Sequence, residues 1–485
     1  MTASSGSYDL IVIGSGPGGY KTALGAAQLG ARVALIERGS PGGTCLNQGC
    51  IPKKTLLHIA SLLEDIELLR GRGLRGTIEG DFPAALAHKD SVVQGIQENF
   101  PVWLNRFGVT VYHGHARLRG TRGVEVLPAS GTSPPVRLYG GSIVIATGAA
   151  PREHAACPTD GRRIIHSGHF MLGLKALPAS VLCVGGGAIG SELGYLMRQF
   201  GSRVTIAEAS DRLLNKPCIP ARASTLLERK LDRLGVEVHT GTTAVSCVPG
   251  DTDVQVTFTD GRSAVFDQVL VAIGRKPHCI DLGLREAGVD LTADGFIETD
   301  EYLETSVSGI YAVGDIKSGP MTANAALHDA KIALGNALKG SRVPRNYHIV
   351  PIVIDSALEI AAVGLTEDQA EEAGFTPDIA RSNFGASAKS RAKHDREGFI
   401  EVVHDEETGQ LLGGCIVGNE AGEQIHMLAA ACQSERGLWF FTDMSYSHPS
   451  WTEELENAID PYTTALTQSG KELFQPGIYA SSHMP

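Results

Sequence analysis

Asp9-Leu10-Ile11-Val12-Ile13-Gly14-Ser15-Gly16-Pro17-Gly18-Gly19 is the stretch that decides the fold. A mostly apolar run ends in glycine, as in a strand buried on both faces. A glycine-rich turn follows, then a helical pattern through Leu29. A second strand, Arg32 to Ile36, ends at the acid Glu37. Strand, glycine turn, helix, strand and acid in this order form a dinucleotide-binding unit. Gly14 makes the tight turn, Gly16 lets the backbone approach a pyrophosphate, and Gly19 lets helix and strand pack. Glu37 can accept hydrogen bonds from a ribose. The pattern then recurs. Val181 to Val184 is the strand, Gly185-Gly186-Gly187-Ala188-Ile189-Gly190 the turn, and Glu192 to Phe200 the helix; the strand Arg203 to Ala207 ends at Glu208. First glycine to acid spans 23 positions in both copies. The expected fold class is α/β, with two Rossmann-like dinucleotide-binding domains.

Between the copies lies Gly42-Gly43-Thr44-Cys45-Leu46-Asn47-Gln48-Gly49-Cys50-Ile51-Pro52-Lys53-Lys54. Five positions turn an ideal helix by roughly 500°, so Cys45 and Cys50 do not share a face of a regular helix. A bridge between them needs an irregular first turn, which Gly43, Gly49 and Pro52 can supply. A helix N-terminus and the charges of Lys53 and Lys54 would stabilise a thiolate there. The alternative is two unpaired cysteines packed as small apolar residues. In the second copy, Glu208 is followed by Ala209-Ser210-Asp211. A carboxylate there favours a free 2′-hydroxyl, hence NAD over NADP. A dithiol does not readily pass hydride to nicotinamide unaided, so a flavin is the sensible occupant of the first copy.

The chain has 485 residues, enough for about three or four domains. At 42% hydrophobic and 20% charged it has an ordinary globular composition. A net charge of -12 argues against a nucleic-acid surface. Nine cysteines in this length are no disulfide scaffold; apart from Cys45 and Cys50 they are scattered, as thiols in a reducing compartment would be. The residues from Met1 to Ser7 carry no targeting pattern. No apolar run approaches the ~20 residues that span a bilayer. The expectation is a cytoplasmic protein without membrane insertion.

Ser142-Ile143-Val144-Ile145-Ala146-Thr147-Gly148 and Asp267 to Arg275, through Gly274, each read as a strand closing a nucleotide domain, or as an ordinary core strand. Ser308 to Val313 is another apolar strand, ending in Gly314-Asp315. That acid can hold a polyol chain, or cap the helix that follows. A helix around Ala323 to Leu338 would aim its N-terminus at a bound anionic group. From about residue 348 the pattern changes to α+β with an antiparallel sheet, including strands at Glu397 to His404 and Gln410 to Gly418. Near its end, Pro449 would start a helix, with Glu453 one turn along to hold the His448 imidazole. The alternative is a surface histidine before a proline turn.

Together the Gly43 to Lys54 stretch, the doubled fingerprint, Gly314-Asp315 and His448-Pro449 with Glu453 resemble the flavin disulfide reductases. Within them the chain is similar to the dihydrolipoamide dehydrogenases over nearly its whole length. The resemblance implies a homodimer. An FAD domain would comprise residues 1–149 with 280–347, an NAD domain 150–279 and an interface domain 348–485. It implies that Cys45 is the interchange thiol, Cys50 the sulfur against the flavin, and Lys54 the partner of Glu192 beside the ring. Gly14, Gly16, Gly19, Glu37, Ala116, Thr147, Gly148, Gly314, Asp315 and Ala323 would serve FAD. Gly185, Gly187, Gly190, Glu208 and Gly274 would serve NAD. His448 and Glu453 would come from the partner subunit. The implied reaction oxidises protein-bound dihydrolipoyl groups and reduces NAD. Lys53, Asp355, Leu358, Cys415, Tyr446 and Trp451 depart from the family pattern. They point to an unusual lipoyl carrier, for example a lipoate-binding protein of sulfur oxidation. The alternatives are a glutathione-type or other low-molecular-weight disulfide reductase and, in another class, a non-catalytic flavoprotein redox sensor.

Overall fold

Three sheets organise the chain, in a computed structural model that describes residues 6–128, 134–434, 436–442 and 444–468. In the first, the strands Val109–Arg119, Val33–Glu37, Gly6–Ile13, Val136–Ile145 and Ile310–Ala312 lie side by side and parallel. Two of these strands do double duty. Residues 109–113 pair in parallel with Val33–Glu37, while residues 114–119 pair antiparallel with Gly123–Pro128, which also pairs with Val136–Ile145. The strand order reverses direction beside Gly6–Ile13, and ligands bind at the carboxyl ends of strands at such a switch point.

The second sheet repeats this plan. Val236–His239, Arg203–Ala207, Ser180–Val184, Gln268–Val271 and Ile164–His166 are all parallel. An antiparallel meander, Ala244–Pro249, Val254–Phe258 and Ser263–Phe266, is added to it. Leu10 to Ile13 and Val181 to Val184, the apolar runs of the two central strands, are buried on both faces. The glycines act alike too. Gly14 and Gly185 have φ of +99° and +104°, and a Cβ at Gly19 or Gly190 would collide with the carbonyl oxygen of Gly14 or Gly185. Only glycine lets each helix come that close to its strand.

The third sheet is antiparallel throughout, in the order Ile352–Asp355, Glu359–Gly364, Leu411–Val417, Phe399–Asp405, Pro377–Asn383. The helices Ala421–Cys432 and Glu453–Gln468 pack on it. Residues 469–485 of the expected interface domain lie outside the described residues. No described helix is long and apolar enough to cross a membrane.

One expectation about cysteine needs correction. Cys157 and Cys247, 90 positions apart, are joined by a disulfide with Cα atoms 4.9 Å apart. The buried core that joins the second sheet to its meander brings them together. The other seven cysteines are free.

Candidate active site

Cys45 and Cys50 sit in different helices. Cys45 lies in the short helix Gly43–Asn47, and Cys50 is the first residue of Cys50–Leu69. Gly42 (φ 93°) and Gly43 (φ 62°) make the entry turn, and Gly49 separates the two helices. This break is the irregularity that the five-residue spacing demands. The sulfurs are not bonded to each other in this structure. They interact by hydrogen bonding, and the pair polarises: Cys50 is lowered to about 7, while Cys45 is raised. The largest cause at Cys50 is the hydrogen bond from Cys45; burial opposes it, and the charge of Lys53 adds to it. Of the two, Cys50 is the cysteine whose surroundings favour the thiolate.

Lys53, not Lys54, pairs with Glu192. Lys53 Nζ lies 2.5 Å from Glu192 Oε1 and 3.4 Å from Asp355 Oδ2, whereas Lys54 Nζ lies 2.9 Å from Asp355 Oδ1. The Lys54 side chain is 56% exposed and that of Lys53 18%. Two lysines thus sort between two carboxylates. The buried Glu192 takes the inner ammonium, and Asp355 draws the outer one away. Burial alone would lower the Lys53 pKa, but Glu192 and Asp355 outweigh it and leave it raised. The Asp355 backbone N–H also donates to Glu192 Oε1 at 3.0 Å, and Ser356 Oγ donates to Ser191 O at 2.9 Å. The third sheet is therefore tied directly to the redox helix and to Ala188–Gln199.

Both cysteines open onto a cavity of about 1390 Å³. Gly14, Gly16, Glu37, Ala116, Thr147, Gly148, Gly314, Asp315 and Ala323 line it, as do Lys53, Lys54 and Glu192. Gly19 lies behind the turn, where it packs against Gly14. The second-copy residues Gly185, Gly187, Gly190, Glu208 and Gly274 are not in this lining; their helix sends only Ala188, Ile189 and Glu192 into it.

The two acids share an unforeseen duty. Glu37 accepts from Ser15 N at 2.9 Å, Ser15 Oγ at 2.7 Å and Gly39 N at 2.8 Å. Glu208 accepts from Gly186 N at 2.6 Å and Ser210 N at 2.8 Å. Each clamps its own glycine turn. A carboxylate offers about four acceptor positions, so each retains capacity for a ribose. Arg275 was missed as a site residue. It donates to the Ala149 carbonyl, its Nε lies 3.7 Å from Asp315 Oδ2, and it lines the cavity. A charged residue directly after a strand-ending glycine was the available signal. Asp315 itself is raised, chiefly by burial. Its turn is held from behind, since Gly314 N donates to the buried Asp329 at 2.9 Å and Lys317 pairs with Asp329 at 3.0 Å.

The lining fits the FAD that the resemblance implies. A Cβ at Gly16 would meet nothing within 4 Å, which leaves open room before the N-terminus of Pro17–Gln28. The buried Arg275 Nε and His278 Nε2 have no hydrogen-bond partner among the described residues, and both residues face this space. The second copy has the same opening at Gly187, suited to a second dinucleotide.

His448 stands apart from the cavity. Its Nδ1 is 2.9 Å from Glu453 Oε2, and its side chain is 75% exposed against 15% for Glu453. The peptide bond before Pro449 is cis. The helix begins at Glu453 rather than at Pro449, because Ser450 Oγ accepts from Glu453 N at 3.2 Å and makes a separate turn first.

Comparison with known proteins places this geometry among relatives. Residues 8–330 match the pyridine nucleotide-disulphide oxidoreductase family model, and residues 350–459 match that family's dimerisation domain. The dihydrolipoyl dehydrogenase of Chlorobaculum parvum is 35% identical over 94% of this chain and 97% of its own. That of Thermus scotoductus is 36% identical over 93% and 97%. Among solved structures, LpdA from Mycobacterium tuberculosis superimposes with a TM-score of 0.87 at 26% identity, covering 93% of this chain and 99% of its own. The HOCl-induced flavoprotein disulfide reductase RclA from Escherichia coli, as its Cu(II) complex, gives 0.81 at 27%, over 94% and 99%.

Proposed function

The chain belongs to the pyridine nucleotide-disulphide oxidoreductases, and on that premise we propose that it is a dihydrolipoyl dehydrogenase working as a homodimer. The observation that carries this reading is the meeting of Cys45, Cys50, Lys53 and Glu192 on the cavity that the first glycine turn opens. In this reading the FAD domain comprises residues 1–149 and 280–347, the NAD domain 150–279 and the interface domain 348–485.

The chemistry follows from the residues. With Cys45 and Cys50 joined, a substrate thiolate attacks Cys45 Sγ and breaks the S–S bond. Cys50 leaves as the thiolate, stabilised by Lys53 and the N-terminus of its helix. His448 of a second copy, its Nδ1 held by Glu453, takes the proton from the second substrate thiol. That sulfur attacks the substrate sulfur of the mixed disulfide and releases Cys45, which closes the lipoyl ring. Two electrons have then moved from the substrate to the cysteine pair. Bound FAD supplies a two-electron acceptor for that dithiol and a hydride donor for NAD. The exposure of His448 supports this assignment, since a base that serves a neighbouring subunit must project from its own. The lipoyl group arrives on a carrier protein; the departures at Lys53 and Asp355 support an unusual one. Five unpaired cysteines outside the redox pair support a cytoplasmic setting, and the Cys157–Cys247 bond weighs the other way.

Steady-state turnover with dihydrolipoamide, lipoylated proteins and glutathione, each with NAD and NADP, tests the reading. Fast NAD-linked oxidation of the dihydrolipoyl substrates is expected. Faster turnover with glutathione would overturn it.

A further inference from the structure

Away from the cysteines, a second cleft of about 540 Å³ opens between the helix Ala221–Arg233 and the edge of the antiparallel sheet near Asn383 and Phe399. It shares no lining residue with the redox cavity. Three guanidinium groups line it: Arg222 and Arg229 from the helix, and Arg396 from the segment before Phe399. Seven positions separate the first two, so both lie on one helix face. The single carboxylate in the lining is Glu397, already held by Lys230 at 3.3 Å and by Arg233. Arg222 is set in place, its guanidinium 4.6 Å from the Phe399 ring centroid and 2.6 Å from Asn383 Oδ1. The side chains of Arg229 and Arg396 make no hydrogen bond or ion pair among the described residues. Burial, and then the like charge of Arg381, lower the Arg222 pKa, while Glu401 opposes them. This concentration of positive charge occurs on a chain of net charge -12.

We propose that the cleft binds a small anion bearing two or more phosphate groups, gripped by Arg222, Arg229 and Arg396. A guanidinium fork matches phosphate oxygens two at a time. The cleft falls within the ~300–1,000 Å³ of small-molecule sites, more room than a single phosphate fills. The ligand would bridge the helix of the second dinucleotide unit and the edge of the third sheet. This goes beyond the thiol chemistry and does not depend on it.

Calorimetric titration of the FAD-loaded full chain with inorganic pyrophosphate tests the proposal, at constant ionic strength and with saturating NAD to fill the nucleotide turn. One saturable site per chain is expected. Arg229→Ala and Arg396→Ala should each weaken it at least tenfold, and Arg229→Lys, which keeps the charge but loses the fork, by less. Flavin content and the KM for NAD should stay unchanged in all three, which shows that they fold. Orthophosphate should bind at least tenfold more weakly than pyrophosphate. Absence of saturable binding, wild-type affinity in Arg396→Ala, equal affinity for orthophosphate, or the same loss on Arg75→Ala elsewhere on the surface would each overturn the assignment.

Discussion

The strands Gly6–Ile13, Val33–Glu37 and Val109–Arg119 stand to one another as Ser180–Val184, Arg203–Ala207 and Val236–His239 do. Each unit has a first glycine at positive φ, a third glycine pressed on it, and an acid that clamps the turn. They differ in what connects the second strand to the third. In the second unit, residues 209–235 carry one crossover helix, Ala221–Arg233. In the first, residues 38–108 carry Gly43–Asn47, Cys50–Leu69 and Phe82–Arg106. The nucleotide turn is thus a shared device, and the sulfur chemistry resides in the longer connection. Substitutions of the cysteines in that connection should abolish thiol turnover without emptying the flavin site, and those of the second unit's glycine turn and acid should change nucleotide use alone.

The largest effect is expected at the cysteines. Cys50→Ser should lower dihydrolipoamide oxidation by about 10³-fold or more, because the leaving thiolate is removed outright. Flavin absorbance should persist, since the turn at Gly14 is untouched. His448→Gln should cost about 10²–10⁴-fold, again with flavin retained. Mixing inactive Cys50→Ser chains with inactive His448→Gln chains should restore activity through hybrid dimers that hold one intact site. Failure of that rescue after confirmed subunit exchange would contradict the placement of His448 in its neighbour's site.

Much of this plan was legible because it is local. Glycine turns, apolar strands and terminal acids lie within single stretches of about 30 residues. The His448–Glu453 pair spans five positions. The sorting of Lys53 and Lys54 was not legible, because it depends on Asp355, some three hundred positions away, reaching the redox helix from another sheet. On the helix alone the two lysines are near neighbours, and family resemblance favours the wrong one. The Cys157–Cys247 bond was hidden for the same reason, since neither sequence neighbourhood announces the other. Glu37 and Glu208 were read as ribose acceptors, and their turn-clamping role needed the backbone to be seen.

The lysine result sharpens the comparison, because the second unit has no counterpart to it. Cys50 is held at about 7, so the thiolate fraction of the reduced enzyme should rise through neutral pH. Lys53→Gln removes a charge that favours the thiolate and should move that midpoint up by about one unit. At pH 7 the thiolate fraction would fall from about one half to about one tenth. Lys54→Gln, which removes the outer ammonium, should move it much less. The pH dependence of iodoacetamide alkylation reads both. A larger shift for Lys54→Gln would reverse the pairing.

The two acids offer a matched substitution. Glu208→Gln should weaken NAD use by about 10–100-fold, the worth of a hydrogen bond to a charged group together with a loosened turn, and leave flavin bound. Glu37→Gln should instead release flavin. If either change affected both cofactors equally, the units would not be independent sites on a shared plan.

The smallest effect on turnover is expected at Cys157–Cys247. The bond joins the second unit's core to its meander, a feature that the first unit achieves with strands alone, because Val109–Arg119 and Val136–Ile145 run unbroken from the parallel sheet into their own meander. In the second unit the meander strands are separate elements, so covalent closure replaces strand continuity. A disulfide typically contributes about 2–4 kcal/mol by restricting the unfolded chain, and a long loop such as this one lies at or above the top of that range. Cys157→Ser with Cys247→Ser should therefore lower the denaturant midpoint of the second unit and leave dihydrolipoamide turnover within about twofold of wild type. A large loss of turnover at full NAD saturation would mean that the bond shapes the nucleotide site itself rather than holding the domain around it.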